Sequence, residues 1–190
     1  MLVPYEKVRR DFLALRGESP DLLPVLEEGE DSAVLTLDAY LRAALPEMAV
    51  KATLQVYEDA QDSLDEIGKF EADIEWNGRV GEVRLPDDYL RLYYLKLDEW
   101  CEAVRRVEPK DSLRDRLRGM MPAWMACDHR PMVVEINDEI GKKLRIYGGT
   151  RKSRKATVLY IPVPILSDGG LRISTCAYHN LFSFDNKFLS

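Results

Sequence analysis

The sequence predicts an α+β fold, with a helical layer first and a β-rich part after it. Three observations lead there. Apolar residues recur at helical spacing up to about residue 70. Beyond that point short apolar runs alternate with Gly- and Asn-containing turns. Helical and strand patterns are also segregated along the chain instead of alternating, which separates α+β from α/β.

Taken in order, Tyr5, Val8, Phe12 and Leu15 mark a first helix that Gly17 and Ser19-Pro20 bring to an end. From Glu18 to Asp31 there are six acids and no cation, with prolines at 20 and 24, the composition of a solvated acidic loop. Thr36 is placed to cap a second helix, LDAYLRAALPEMAVKATLQVYEDA, with Leu37, Leu41, Ala44, Leu45, Met48, Ala52 and Val56 on its apolar face. Pro46 lacks an N–H for the helical ladder, so it either kinks this element or opens a new one. Leu64, Ile67 and Phe70 extend the helical layer weakly, among acids.

Residues 72–85 read as two short strands around Asn77-Gly78, a dipeptide suited to a tight hairpin. They lead into RLPDDYLRLYYLKLDEW, residues 84–100, the stretch around which the chain is organised. Leu85, Pro86, Asp87 and Asp88 form a corner there, because proline fixes φ and pushes its predecessor towards extended geometry. Tyr89 and Leu90 open a long apolar run, and Trp100 closes it. Leu90, Tyr93, Tyr94, Leu97, Cys101 and Val104 would fit a helical stripe, but Leu92 and Leu95 lie off it and the preceding turns are hairpin chemistry. The reading favoured is a strand to about Leu97, with helix over 89–104 as the alternative.

Pro109 ends that segment, and Ser112 is placed to cap a short basic helix over Leu113, Leu117, Met120 and Met121. The Met-rich cluster at 120–125 reads as core filling, since Met adapts to irregular gaps. From Pro131 the texture is β: MVVEI, a turn from Asn137 to Gly141, KKLRIYGG, then ATVLYIPVPIL, a Ser167–Gly170 turn and LRISTCAY. The implied organisation is one domain over 1–175, with a helical layer at 4–70 and a β-rich part at 72–175, followed by a tail at 176–190. A chain of 190 residues that is 46% hydrophobic is large enough to bury such a core.

No apolar run approaches the roughly 20 residues that span a bilayer. The opening MLVPYEKVRRDF lacks the apolar centre of a signal peptide, so synthesis in the cytoplasm without membrane association is expected. Cys101, Cys127 and Cys176 are odd in number, far apart and without a CxxC pair, which suggests reduced core residues. Charge is split along the chain: residues 1–100 hold 11 cations against 23 acids, and residues 101–190 hold 16 against 10. Such polarity suits a head-to-tail contact between copies, though ordinary solvated surfaces would also produce it.

No enzymatic chemistry is expected. Nucleophile–base pairs, convergent carboxylates and metal-ligand spacings are not proposed by any motif. Adjacent carboxylates at Asp87 and Asp88 would point to opposite faces of a strand, and His129 and His179 accompany no ligand series. Gly148-Gly149 lacks the continuation of a phosphate-binding loop. Catalytic residues, cofactors and metals are therefore all expected to be absent.

Two features point instead to partners. Lys142, Lys143, Arg145, Arg151, Lys152, Arg154 and Lys155 are seven cations with no acid between Ile140 and Ser167. Such a loop could neutralise phosphates without reading sequence; a solvated hairpin tip or a contact with an acidic neighbour would explain it equally. Phe182, Phe184 and Phe188 crowd the last residues, where aromatics need something to dock against.

Several of these stretches, taken together, resemble a known family. LTLDAYLRAALPEMAVKA from Leu35, WNGRVGEVRLPDDYLRLYYLKLDEWCEAV from Trp76, RPMVVEI from Arg130, GKKLRIYGG from Gly141 and YIPVP from Tyr160 are similar, in matching order over about residues 33–165, to head-to-tail connector proteins. These are the neck or ring adaptors below the portal of tailed phages, in particular short-tailed or crAss-like phages of Bacteroidetes. The resemblance implies a non-enzymatic virion protein, made in the host cytoplasm and assembled as a dodecameric ring. Its partners would be its own copies, the portal and other neck or tail proteins, with DNA passing through the channel without sequence-specific contact. It also implies a β setting for the LPDDYLRL core. Where the family continues after YIPVP into a further helix, this chain is expected to have only its Phe-rich tail.

Overall fold

In the computed structural model the first apolar period becomes helix α1 (Tyr5–Leu15), preceded by a two-residue strand β1 (Leu2–Val3). The structure describes residues 1–15, 31–117, 126–139 and 141–182, with backbone alone for 31–38 and 117. The expected acidic loop, the Met-rich cluster, Phe184 and Phe188 lie outside the described residues. The α+β class holds.

Helix α2 runs unbroken over Asp31–Ala60. It starts before Thr36, so that residue does not cap it, and Pro46 neither ends it nor begins another. Pro46 is exposed, so the carbonyl it leaves without an N–H partner faces the solvent side, where water can serve it. The buried stripe is Leu41, Leu45, Ala49, Ala52, Thr53, Val56 and Tyr57. Ala44 and Met48, expected on that face, are half-buried at its margin. Thr53 is accommodated because its hydroxyl donates to the Ala49 carbonyl at 2.8 Å.

The helical layer stops earlier than expected. A 3₁₀ turn (Gln61–Ser63) closes α2, and Phe70 falls in strand β2 (Gly68–Asp73). Strands β3 (Glu75–Asn77) and β4 (Val80–Arg84) follow, turned by Gly78 at φ 66°, then β5 (Tyr89–Lys96). The strand reading of the central stretch is therefore correct. Helix α3 (Leu113–Leu117) is capped as expected, with the Asp115 amide donating to Ser112 Oγ at 3.2 Å. Strands β6 (Met132–Asp138), β7 (Gly141–Tyr147) and β8 (Lys155–Pro162) complete the middle of the chain.

ATVLYIPVPIL does not continue as one strand. The prolines at 162 and 164 lack N–H donors, and the chain leaves one sheet to form β9 (Ile165–Ser167) and β10 (Gly170–Arg172) in another. STCAY, read as strand, is helix α4 (Thr175–Asn180). A short helix thus follows YIPVP after all.

The chain divides into two compact units: residues 1–66 with 163–190, and residues 67–162. Residues 163–175, expected to close the β-rich part, belong with the helices. In the first unit β1, β10 and β9 form an antiparallel sheet, and α4 packs on α2. Phe12, Tyr178 and Phe182 form an aromatic group, with centroids 6.3 Å apart for Phe12–Phe182 and 6.0 Å for Tyr178–Phe182. The Tyr178 hydroxyl donates to Asp11 at 2.6 Å; burial and the nearby carboxylate push its ionisation well above the usual tyrosine range.

The second unit is a sandwich of two antiparallel sheets, β2-β8-β5 and β3-β4-β7-β6. Leu92, Leu95 and Val158 from one sheet meet Val83, Val133, Leu144 and Ile146 from the other, all at 0% exposure. Strand β6 is buried on both faces: Met132, Val134 and Ile136 join Tyr147 in a smaller cluster on the far side. That is why MVVEI is a continuous apolar run and not an alternating one. The cysteines are free, as expected, but Cys101 and Cys127 are exposed and Cys176 is intermediate, so none is a core residue.

Gly170 holds φ 131°, and a Cβ there would sit 2.1 Å from the Val3 carbonyl oxygen. Gly170→Ala should therefore destabilise the first unit by about 2 kcal/mol or more in chemical denaturation. Gly169→Ala, whose nearest neighbour would be 3.8 Å away, should stay within about 0.5 kcal/mol. Asp65 offers a second test. Partial burial raises its pKa, but the Thr175 hydroxyl and amide outweigh this and hold it down to about 2, from 3.8. A depressed folded value contributes stability that is complete well above 3.8 and disappears as the pH falls towards about 2. Asp65→Asn should flatten the stability–pH curve in that window and leave its slope at neutral pH unchanged.

Candidate functional site

The LPDD corner is built from both sheets of the second unit. The Leu85 amide donates to the Lys142 carbonyl at 3.2 Å, extending the β4–β7 ladder, and the Tyr89 amide closes the turn onto the Pro86 carbonyl at 3.1 Å. Asp87 is exposed. Asp88 accepts the Tyr160 hydroxyl at 2.8 Å, and Tyr160 stacks on Tyr89 with centroids 6.0 Å apart. Tyr89 is 1% exposed, and its hydroxyl donates to Glu135 at 3.3 Å. Leu90 and Trp100 are buried, Trp100 with its indole N–H on the Gly148 carbonyl at 2.9 Å. The contacts of Leu85, Asp88, Tyr89 and Tyr160 pack or pin the corner, whereas the Trp100 bond holds the start of the β7–β8 connection. A cavity of about 370 Å³ lies beside it, lined by Arg84 to Asp87, Asp138, and Gly141 to Lys143. Its lining carries three cations, Arg84, Lys142 and Lys143, and two carboxylates, Asp87 and Asp138.

The seven cations do not form one loop. Lys142, Lys143 and Arg145 belong to β7 and Lys155 opens β8. Lys143 contacts Asp138 at 2.5 Å and Glu82 at 3.7 Å, and Arg145 donates to Glu82 at 2.9 Å. The Asp138 bond raises the Lys143 ammonium above the usual lysine range; desolvation opposes it, and the charges of Asp138 and Glu82 add to the rise. Lys155 approaches Glu71 at 3.4 Å, a pair exposed enough to be worth little. Lys142 reaches the Tyr89 carbonyl at 3.3 Å and lies 5.7 Å from its ring centroid.

Arg151, Lys152 and Arg154 remain at the tip of the β7–β8 connection, all exposed and none in an ion pair with a described residue. Because β7 and β8 belong to different sheets, this tip is a crossing between sheets and not a hairpin end. It is held from beneath. The Trp76 indole donates to the Ser153 carbonyl at 2.7 Å, the Ile74 amide to the Arg154 carbonyl at 2.9 Å, and the Thr150 hydroxyl to Glu99 at 2.7 Å. Burial is the largest single influence on the Glu99 carboxyl and raises its pKa, but the Thr150 hydroxyl and amide, helped by Ser153 and by the charge of Lys152, together outweigh it and hold the carboxyl below the usual range.

Phe182 is buried in the first unit against Phe12 and Tyr178. It is core, not a docking side chain. Trp76, Glu82 and Glu99 lie in the stretch from Trp76 that carries the resemblance and Asp138 lies outside it, but nothing in their local pattern announces that they organise the cationic region; only the strand register brings Glu82 opposite Arg145. Among the described residues no group of His, Cys, Asp and Glu could hold a metal ion, and no helix is long and apolar enough to cross a membrane.

Trp76→Phe keeps an aromatic ring but deletes the donor to Ser153 and part of the indole's packing beside Gly81 and Gly149. It should cost about 1 kcal/mol and speed amide exchange at 150–154 more than elsewhere in the sandwich. Uniform acceleration across the unit would contradict a local pin. No protein-family model matches this chain, and no curated protein matches it in sequence.

Proposed function

We propose that the protein is a structural virion component, a head-to-tail connector whose copies assemble as a ring below the portal. Its work would be the burial of surface between copies, with no bond made or broken. The observation that carries this reading is the partition of charge between the two units. The first holds 8 cations against 17 acids, and the second 19 against 16. A chain whose two compact units carry opposite net charge is suited to repeated contact in which one copy's acidic unit meets the next copy's basic one, a geometry that closes when the rotation permits.

The sequence resemblance supports the same reading. Its distinctive stretch, Leu85 to Leu90, supplies the corner on which the second unit is built, a framework role that suits a connector. A free nucleic-acid-binding accessory role for the whole of 142–155 is the weaker alternative. Lys143, Arg145 and Lys155 already face carboxylates of their own chain, which leaves a small cationic area.

The experiment is compositional: particles of the virus that encodes the chain are purified and their proteins identified. The protein should be present in stoichiometric amounts near the portal copy number, with a ring in averaged images of the neck. Its absence from purified particles would sink the reading.

A further inference from the structure

We propose that the Arg151–Lys152–Arg154 tip contacts the phosphate backbone of duplex nucleic acid. Its polar backbone is spent inwards: the carbonyls of Gly148, Ser153 and Arg154 accept from Trp100, Trp76 and Ile74. Thr150 is fixed to Glu99, and the Ser153 amide closes the turn onto the Thr150 carbonyl at 3.1 Å. Three cations are thereby presented on a braced turn, so little ordering entropy opposes binding. Two are arginines, whose planar guanidinium matches phosphate bidentately.

The tip's composition selects the class of partner. Residues 148–154, GGTRKSR, contain no apolar side chain. Protein–protein interfaces centre on apolar or aromatic anchors, whereas nucleic-acid interfaces are polar and strongly positive. Single strands are held by stacking on exposed aromatics, and the indole here lies beneath the tip with its N–H committed to Ser153. Duplex backbone is the ligand that remains.

The test uses the full-length protein and a fluorescent 20-base-pair duplex, with anisotropy read across a salt series. Three phosphate contacts predict a slope of log K against log salt of about −2.7, at about 0.9 per contact. Arg151→Ala with Lys152→Ala and Arg154→Ala should abolish most of that slope and weaken binding at low salt at least about tenfold. Arg106→Ala with Lys110→Ala, which removes two other exposed cations of the same unit, should leave the slope unchanged. The inference is overturned if the wild-type chain shows no salt-dependent binding, if the triple variant keeps the slope, or if the control pair lowers it as much. Equal binding of polyglutamate also overturns it, because the tip would then serve an acidic protein surface. The inference needs no ring: a triple variant that still enters particles but no longer binds duplex removes nothing from the connector reading, and a chain missing from particles that binds duplex removes nothing from this one.

Discussion

The contact between the two sheets of the second unit is the constraint on which the rest depends. Leu92, Leu95 and Val158 have no exposure because Val83, Leu144 and Ile146 cover them, and each of those is covered in return. Burial of this kind is a cooperative commitment: removing one facing side chain leaves a void that its neighbours fill only in part. To close such a sandwich the chain has to pass between sheets, and it does so at Ile74 between β2 and β3, at the LPDD corner between β4 and β5, between β5 and β6, and finally through 148–154. Gly148 permits the last of these crossings, since a Cβ there would lie 2.5 Å from the Cys127 carbonyl oxygen. The cationic tip is thus a by-product of how the core closes, placed by packing before any partner is considered.

The same closure sorts the cations. Antiparallel pairing of β4 with β7 sets Glu82 opposite Arg145, and the hairpin of β6 with β7 brings Asp138 within reach of Lys143. Those charges are consumed within the fold. The charges of the crossing have no strand partner, because β7 and β8 are not hydrogen-bonded to one another. A uniform basic run in one dimension becomes a neutralised sheet surface and a small free tip in three.

In the first unit residues 1–15 meet residues 165–182. The Ile173 amide donates to the Met1 carbonyl at 3.0 Å, β10 lies between β1 and β9, and the ring of Phe182 reaches Phe12. An aromatic close to the end of a sequence invites the thought of an external partner, but burial against the chain's own first helix satisfies it at no cost in assembly.

What the residues alone determined were the local elements. Apolar period fixed α1 and the body of α2; Asn77-Gly78 fixed the β3–β4 turn, because its φ of 66° at Gly78 is open to glycine; and Ser112 fixed the start of α3. Each of these is written by neighbours within a few positions. Tertiary structure alone decided which strands share a sheet, where the helical layer stops, why STCAY is helix, that Cys101 and Cys127 face solvent, and which cations stay free. These depend on pairs such as Arg145 and Glu82, 63 positions apart, which come together through register and whose meeting leaves no local trace in the residues between them.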